Sequence, residues 1–583
     1  MRATSSRQLA NHLVNIAVLL VVLAAVASAQ MPSLIISPAS AYVRNGQPQQ
    51  FTPSCSGGQT PTQLTWSATV GQITQTGLYT GAGQTATITV MGECGLNSPL
   101  RGYAYVFKNG GKSSYTNART DQTVLQVPSL PNWGGLYGVG NTWTNSNFGN
   151  NIVVTRITDG HTDGSGGSLT ASGDSGDSNG NVTTASSGDA NLISVDDGFA
   201  LVTGQGGHKL VNLNTFKVAT PTPPFSGNDD LVFSNVDPHT IWRRTGTVYQ
   251  KLTDSSSDYS WSSYSVAWQH DLAGDCLPSG YQPNWTAFRV SLDDQSLRGA
   301  FDTQSDGGGQ DYAYYAVAYQ LANNTCYLWN TKTGHVFAGT TDLGQVVMDN
   351  QPGQPPDLFL IHEAGGGLQS QYVLVSTYQN GCLSQSCLVF APYIWKLDPM
   401  NPTTVARCSD ATCEGHSAKL YLAIATGKNY AIHPYATPHC DPNCVELANF
   451  PTGFPDLHGT ASNSDYYDDA PPFLVSADLQ DTFPPVWNPN GVWGYNEVIA
   501  ASTDPVGTVY RWAQTGASGD KEKVNGNYVI PFNCQSAIGI VSPQGDVLIF
   551  ASDMAGDGVP GRLGYWGDQN QYRRCDVFMI RMQ

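Results

Sequence analysis

Charged residues are scarce in this chain: Asp, Glu, Lys and Arg make up 12% of it, against about 25% in an average globular protein. Coiled coils and long helical bundles need charged, Ala-rich and Leu-rich faces, so both are excluded. Basic residues are the scarcer sign, with 27 Lys and Arg against 45 Asp and Glu, a formal net charge of −18. A surface of that sign repels nucleic acid and anionic membrane, so neither is expected as a partner. Long apolar runs are also missing. The run Ile16–Val26 is too short to cross a bilayer and no second one follows. No phosphate-binding loop and no H-E-x-x-H metal motif is present. What the chain has instead is 62 Gly, 34 Pro, 10% aromatics and 40% hydrophobics in 583 residues. Turn residues separate short aromatic and β-branched runs throughout, which predicts an all-β protein. Its length allows two to four domains at roughly 150 residues each.

The N-terminus has the form of a secretory signal spanning residues 1–29. Arg2 and Arg7 form a basic region, the apolar run follows, and Ala27-Ser28-Ala29 offers a small-residue cleavage site. The expected location is therefore secreted or in the cell envelope (periplasm, cell surface or outside the cell), with no integral membrane segment after cleavage. Twelve cysteines, an even number, suit an oxidising compartment. They fall into near neighbours: Cys55 with Cys94, Cys276 with Cys326, Cys382 with Cys387, Cys408 with Cys413, Cys440 with Cys444, and Cys534 with Cys575. Proximity favours those disulfides, although spacing does not fix connectivity. Cys440-Asp441-Pro442-Asn443-Cys444, with His433 and His439 nearby, also has the form of half a zinc site. A second Cys pair at zinc-ribbon spacing is lacking.

Residues 30–127 contain short strands at regular intervals, at Ser33–Ile36, Gln49–Phe51, Leu64–Ala68, Thr85–Val90 and Tyr103–Phe107, with Gly and Pro clusters between them. That is the pattern of a small β-sandwich. Residues 31–127 carry five basic residues against Glu93 and Asp121, whereas the rest of the mature chain has 20 basic against 43 acidic. The motifs Ser37-Pro38-Ala39, Leu64-Thr65-Trp66-Ser67, Gly71-Gln72-Ile73, Gly77-Leu78-Tyr79-Thr80 and Ala86–Val90 resemble a bacterial Ig-like domain. The resemblance implies a core position for Trp66 and a spacer or adhesion role for the module.

A Pro-bearing connector around Val127–Asn132 leads into residues 128–583. Within these, 158–190 form a Gly, Ser, Asp and Asn tract read as a flexible loop. Gly173-Asp174-Ser175-Gly176 mimics a protease nucleophile loop, but His161 stands too close for that pattern. Asp177, Asn179 and Asn181 mimic a calcium loop, but Val182 replaces the required Gly and Gly188 the required Glu. Beyond the tract, four segments share a Ser-initiated polar turn beside an apolar strand. They begin at Ser194, Ser234, Ser291 and Ser542. Strand, tight turn, strand and outer strand make a propeller blade, and further blades are expected near Leu358, Leu420 and Val498. The last segment, Ser542–Asp553 followed by Cys575–Ile580, resembles the repeat of TolB-type secreted β-propellers. Ile152–Asp159 looks like the outer strand that closes such a ring. The expected architecture is an N-terminal Ig-like β-sandwich followed by a seven-bladed β-propeller; a tandem of sandwiches is the competing one.

Two sets of residues offer chemistry. His362, His416 and His458, each in or beside a strand, would hold a divalent cation if they converge, since imidazole with carboxylate suits manganese or zinc. His362-Glu363 is similar to the His-Glu-Gly turn of oligogalacturonate lyases, which implies a metal site, but Ala364 stands where Gly would. Histidines at strand ends are also ordinary hydrogen-bonded turn residues. Tyr466, Tyr467 and Trp493, with Trp487 and Tyr495, offer flat faces for sugar rings, and Asp468 and Asp469 accept hydroxyl hydrogen bonds. Blade cores use the same aromatic residues. The expected function is an extracellular binding or scaffolding protein that recognises a glycan or surface protein. A metal-dependent propeller polysaccharide lyase or hydrolase is the alternative.

Overall fold

The computed structural model describes residues 34–159 and 191–348 apart from short internal segments. Between those stretches it adds residue 162 and the strand Val182–Thr184, and beyond 358 it covers chiefly the strands named below. Every regular element among the described residues is a strand, so the protein is all-β. The chain divides into two compact units, residues 1–108 and 109–583. The division comes earlier than residue 127, because residues after Lys108 pack within the second unit. Tyr115 meets Trp512 edge-on with ring centres 4.9 Å apart.

In the first unit, strands Ser40–Val43, Leu100–Lys108, Ala86–Glu93 and Thr62–Ala68 form one sheet in that order, the first two running parallel. Pro48–Gln50, Leu78–Thr80 and Gln72–Ile73 form a second, and Leu34–Ser37 pairs with Thr52–Cys55. Alternation sets which face is inside: Ala86, Ile88 and Val90 are buried. They share a core with Trp66, Phe51 and Tyr79, and the Cys55–Cys94 disulfide closes it. Gly77 has a φ of +82°, and a Cβ there would strike the Phe51 carbonyl and the Trp66 ring.

Among the described residues the second unit has seven sheets of four or more strands. The first comprises Val182–Thr184, Phe199–Gly204, Gly207–Asn212 and Val218–Ala219. The second comprises Asp230–Phe233, Thr240–Thr245, Val248–Asp254 and Tyr264–Asp271. The third lies between residues 281 and 345, the fourth between 347 and 407, the fifth between 412 and 446, and the sixth between 457 and 514. The seventh joins Gly539–Val541, Val547–Ser552 and Asp576–Arg581 to Val153–Arg156 and Thr142–Thr144 from the start of the unit. Val154 stands opposite Ile580 and Arg156 opposite Phe578. This sheet lies between the first and the sixth: Val182–Thr184 runs beside Val547–Ser552, and Leu457–Thr460 beside Gly539–Val541. Tyr315–Gln320, Val509–Gln514 and Val547–Ser552 are buried at every position, as expected where both faces of a sheet are covered.

The four Ser-initiated turns lead into Phe199–Gly204, Thr240–Thr245, Ser296–Thr303 and Val547–Ser552 of the first, second, third and seventh sheets, and all four serines are fully buried. The Ser194 hydroxyl accepts the amides of Gly198 and Phe199 at 3.1 and 2.9 Å. Ser291 accepts those of Gln295 and Ser296 at 3.0 and 2.8 Å. Ser542 accepts those of Asp546 and Val547 at 3.3 and 3.2 Å. Three residues after each serine the chain turns left-handed, at Asp197, Asp294 and Gly545. Asp and Gly tolerate that conformation, which explains the composition of the repeat. Ser234 differs because Pro238 and His239 lengthen its turn; its hydroxyl accepts from Val236 and Asp237.

Three expectations need correction. Val182–Thr184, read as part of the 158–190 loop, is a strand paired with Val202–Gly204, the β-branched triplet being sufficient to extend the chain. Leu420 and Val498 do not open sheets. Leu420 stands just before an interior strand of the fifth sheet and Val498 lies on the third strand of the sixth, where two equally apolar strands precede and follow it.

Candidate functional site

The third sheet carries a cavity of about 350 Å³ on one face. Its position follows from strand alternation. Cys326, Leu328 and Asn330 lie two residues apart on Thr325–Asn330, opposite Tyr319, Val317 and Tyr315 respectively, and Phe337 stands opposite Leu328 on the next strand. These side chains therefore share one face. The loop after the second sheet folds over that face, with the amides of Cys276 and Leu277 both donating to the Leu272 carbonyl and Gly274 at a φ of +86°. The Cys276–Cys326 disulfide fastens the loop to the sheet. Leu277, Tyr281, Tyr315, Leu328 and Phe337 are the apolar walls, while Asp275, Asn330 and Thr340 supply polar groups. The rings of Tyr281 and Tyr315 meet at 64° with centres 4.6 Å apart.

Asp275 is held from outside the cavity. His270 Nε2 lies 2.9 Å from its Oδ2, and the His270 ring packs 4.3 Å from that of Tyr319. Burial pushes the Tyr319 hydroxyl up, and the negative charge of Asp275 pushes it further. The Tyr319 hydroxyl donates to Asn324 at 3.3 Å. The cavity thus has aromatic and aliphatic sides and one carboxylate at its edge.

His362 lies on the strand Phe359–Ala364 of the fourth sheet and His458 on Leu457–Thr460 of the sixth, but their side chains are outside the described residues. His416, Tyr466, Tyr467, Asp468, Asp469 and Trp493 lie outside them altogether. Of the expected disulfides, Cys55–Cys94 and Cys276–Cys326 are formed. Cys382, Cys413 and Cys444 end or begin strands without described side chains, and Cys387, Cys408, Cys440, Cys534 and Cys575 are not described. Among the described residues no three His, Cys, Asp or Glu side chains come together to hold a metal. Also among the described residues, no helix is long and apolar enough to cross a membrane.

The cavity residues were not singled out from sequence. The sequence signal that could have found them is the Cys276–Cys326 pairing, which brackets Tyr281 and the aromatic run Tyr312–Tyr315. Sequence shows the bracket; only strand register shows that Tyr281, Tyr315 and Phe337 converge.

No family model matches the chain, and no curated protein matches it. Solved structures resemble it weakly. Hsv2p of Kluyveromyces lactis is 10% identical with a TM-score of 0.26, covering 56% of this chain and 71% of its own. AztD of Citrobacter koseri is 9% identical with a TM-score of 0.25, covering 59% and 73%. The tricorn protease is 8% identical with a TM-score of 0.23, covering 85% and 44%. At scores of this size the similarity carries no inference about what this chain does.

Proposed function

We propose that the protein is a secreted or cell-envelope binding protein, in which an Ig-like module carries a seven-bladed β-propeller that recognises a glycan or another surface protein. The observation that carries this reading is the seventh sheet. It draws strands from both ends of the second unit and lies between the first and sixth sheets, the arrangement by which a propeller ring is closed. Propellers present loops and inner strands from several blades to a ligand, and the aromatic cluster Tyr466, Tyr467 and Trp493 with Asp468 and Asp469 would suit sugar rings. Residues 1–29 would be removed on export, and the two disulfides fit an oxidising destination.

The test is a panel of neutral and acidic polysaccharides incubated with residues 30–583, with manganese or with chelator. Retention on at least one polysaccharide without release of reducing or unsaturated ends is the expected result. Metal-dependent product that disappears in His362→Ala, His416→Ala or His458→Ala would overturn it in favour of a lyase or hydrolase.

A further inference from the structure

We propose that the cavity on the third sheet is a cage for a quaternary ammonium group. It is a separate site and does not rest on glycan recognition. Three aromatic side chains, Tyr281, Tyr315 and Phe337, line one space, and the two tyrosine planes stand at 64° to form a corner rather than a flat platform. A cation set against aromatic faces gains about 0.5–2 kcal/mol from the ring quadrupoles, and alkylated ammonium ions, being weakly hydrated, lose little on entering. Asp275 places a carboxylate at the edge of this corner, oriented by His270.

The polar content of the cavity decides among ligand classes. A sugar ring has hydroxyls all round, whereas Asp275, Asn330 and Thr340, with the hydroxyls of Tyr281 and Tyr315, are the polar side-chain groups of the residues lining the space. Hydroxyls set against Leu277, Leu328 and Phe337 would be left without partners at about 1–3 kcal/mol each. A neutral apolar ligand would fill the walls but would take water from Asp275 and offer it nothing beyond the contact His270 already makes. A primary ammonium wants three hydrogen bonds, more than apolar walls provide. A trimethylammonium group meets both halves: its methyls pack on Tyr281, Tyr315 and Phe337, and its charge faces Asp275. A volume of about 350 Å³ accommodates a small ligand of this kind. The net charge of −18 raises the local concentration of any cation.

The test uses residues 30–583 and titrates choline against its uncharged isostere 3,3-dimethylbutan-1-ol. Choline is expected to bind about tenfold or more tightly than the isostere. Tyr315→Leu is expected to lower choline affinity about tenfold or more and Asp275→Asn several-fold, while Tyr315→Phe retains it. Phe337→Leu serves as the second cage variant if Tyr315→Leu fails to fold. A parallel arm with phosphatidylcholine vesicles separates the two sources: binding of free choline alone assigns a solute, and binding in both arms a lipid headgroup. Equal affinity for choline and the isostere, no choline binding, or folded cage variants that bind as the parent does would each overturn the proposal. Polysaccharide retention is read independently, so the failure of either result is distinguishable from failure of the other.

Discussion

Asp294 sits at the left-handed position of the Ser291 turn, fully enclosed, and reaches from the third sheet to the second. Its carboxylate accepts the Asn235 amide and the Trp242 indole N–H, each at 2.9 Å. Burial nevertheless dominates and pushes this carboxyl up to about 6, against hydrogen bonds from Ser234, Trp242 and Asn235 that favour its charged form. An acid whose folded value lies above its unfolded one stabilises most when protonated, and that contribution is lost as pH rises from about 4 through about 6. Between pH 4.5 and 7.5 the stability of the parent relative to Asp294→Asn should fall by about 2 kcal/mol in denaturant titrations. A difference that does not change with pH would count against this assignment. The neighbouring serine gives a second residue-scale prediction. Ser291→Ala leaves the amides of Gln295 and Ser296 without their acceptor and should destabilise by about 1–3 kcal/mol. Ser542→Ala should do the same in the seventh sheet, where the Ser542 hydroxyl accepts Val547 in the same way. In the first unit, Gly77→Ala should cost about 1–3 kcal/mol, because the backbone there is left-handed and the Phe51 carbonyl blocks a Cβ.

Two buried arginines repeat one device, Arg511 on the edge strand of the sixth sheet and Arg156 on Val153–Arg156 of the seventh. Arg511 stands opposite Ile499 and bonds Glu497, two residues before it, through two contacts of 2.7 Å. Arg156 stands opposite Phe578 and bonds Asp576, again two residues before, at 2.6 Å. Each guanidinium also grips the chain entering the second unit: Arg511 donates to the carbonyls of Asp121 and Thr123, and Arg156 to that of Trp133. Arg119 and Arg511 exchange backbone hydrogen bonds at 2.9 and 2.8 Å, so the entering chain lies along the edge strand Val509–Gln514. Burial pushes the Glu497 carboxyl up and Arg511 draws it back. Arg511→Met, which leaves Glu497 buried without its partner, should destabilise by about 3–5 kcal/mol, and adding Glu497→Leu should recover most of that loss. A denaturation cycle over the two positions checks it; a single variant within about 0.5 kcal/mol of the parent would show that the pair holds nothing.

At this scale the sequence was legible where a residue type is tied to a backbone shape. The Ser-turn repeat could be read because a serine acceptor and a left-handed Asp or Gly recur at fixed spacing. The β-branched run in Ile152–Asp159 made a strand legible there, but not that Thr142–Thr144 pairs outside it. The arginine clamps could not be read, since their partners lie 14 residues away in one case and 420 in the other. Val498 misled because strands buried on both faces look alike, wherever in a sheet they fall. The cavity escaped for a related reason: Tyr281, Tyr315 and Phe337 meet only through the register of separate strands.

In the whole second unit, strands from the two ends of its chain share one sheet. A strand from its beginning, Val153–Arg156, joins the sheet made by its last three, and Ile157 continues the pairing by donating its amide hydrogen bond to the Val577 carbonyl at 2.9 Å. This pairing couples the first and last parts of the unit. The most direct test is a cross-link across that pairing. In Val154→Cys/Ile580→Cys, the two new cysteines face one another on adjacent strands. Under mild oxidation they should join within one molecule, seen as a linked peptide pair by mass spectrometry and as faster migration without reductant. A folded variant whose two new thiols stay free and fully reactive would contradict the shared sheet, and with it the observation on which the binding reading stands.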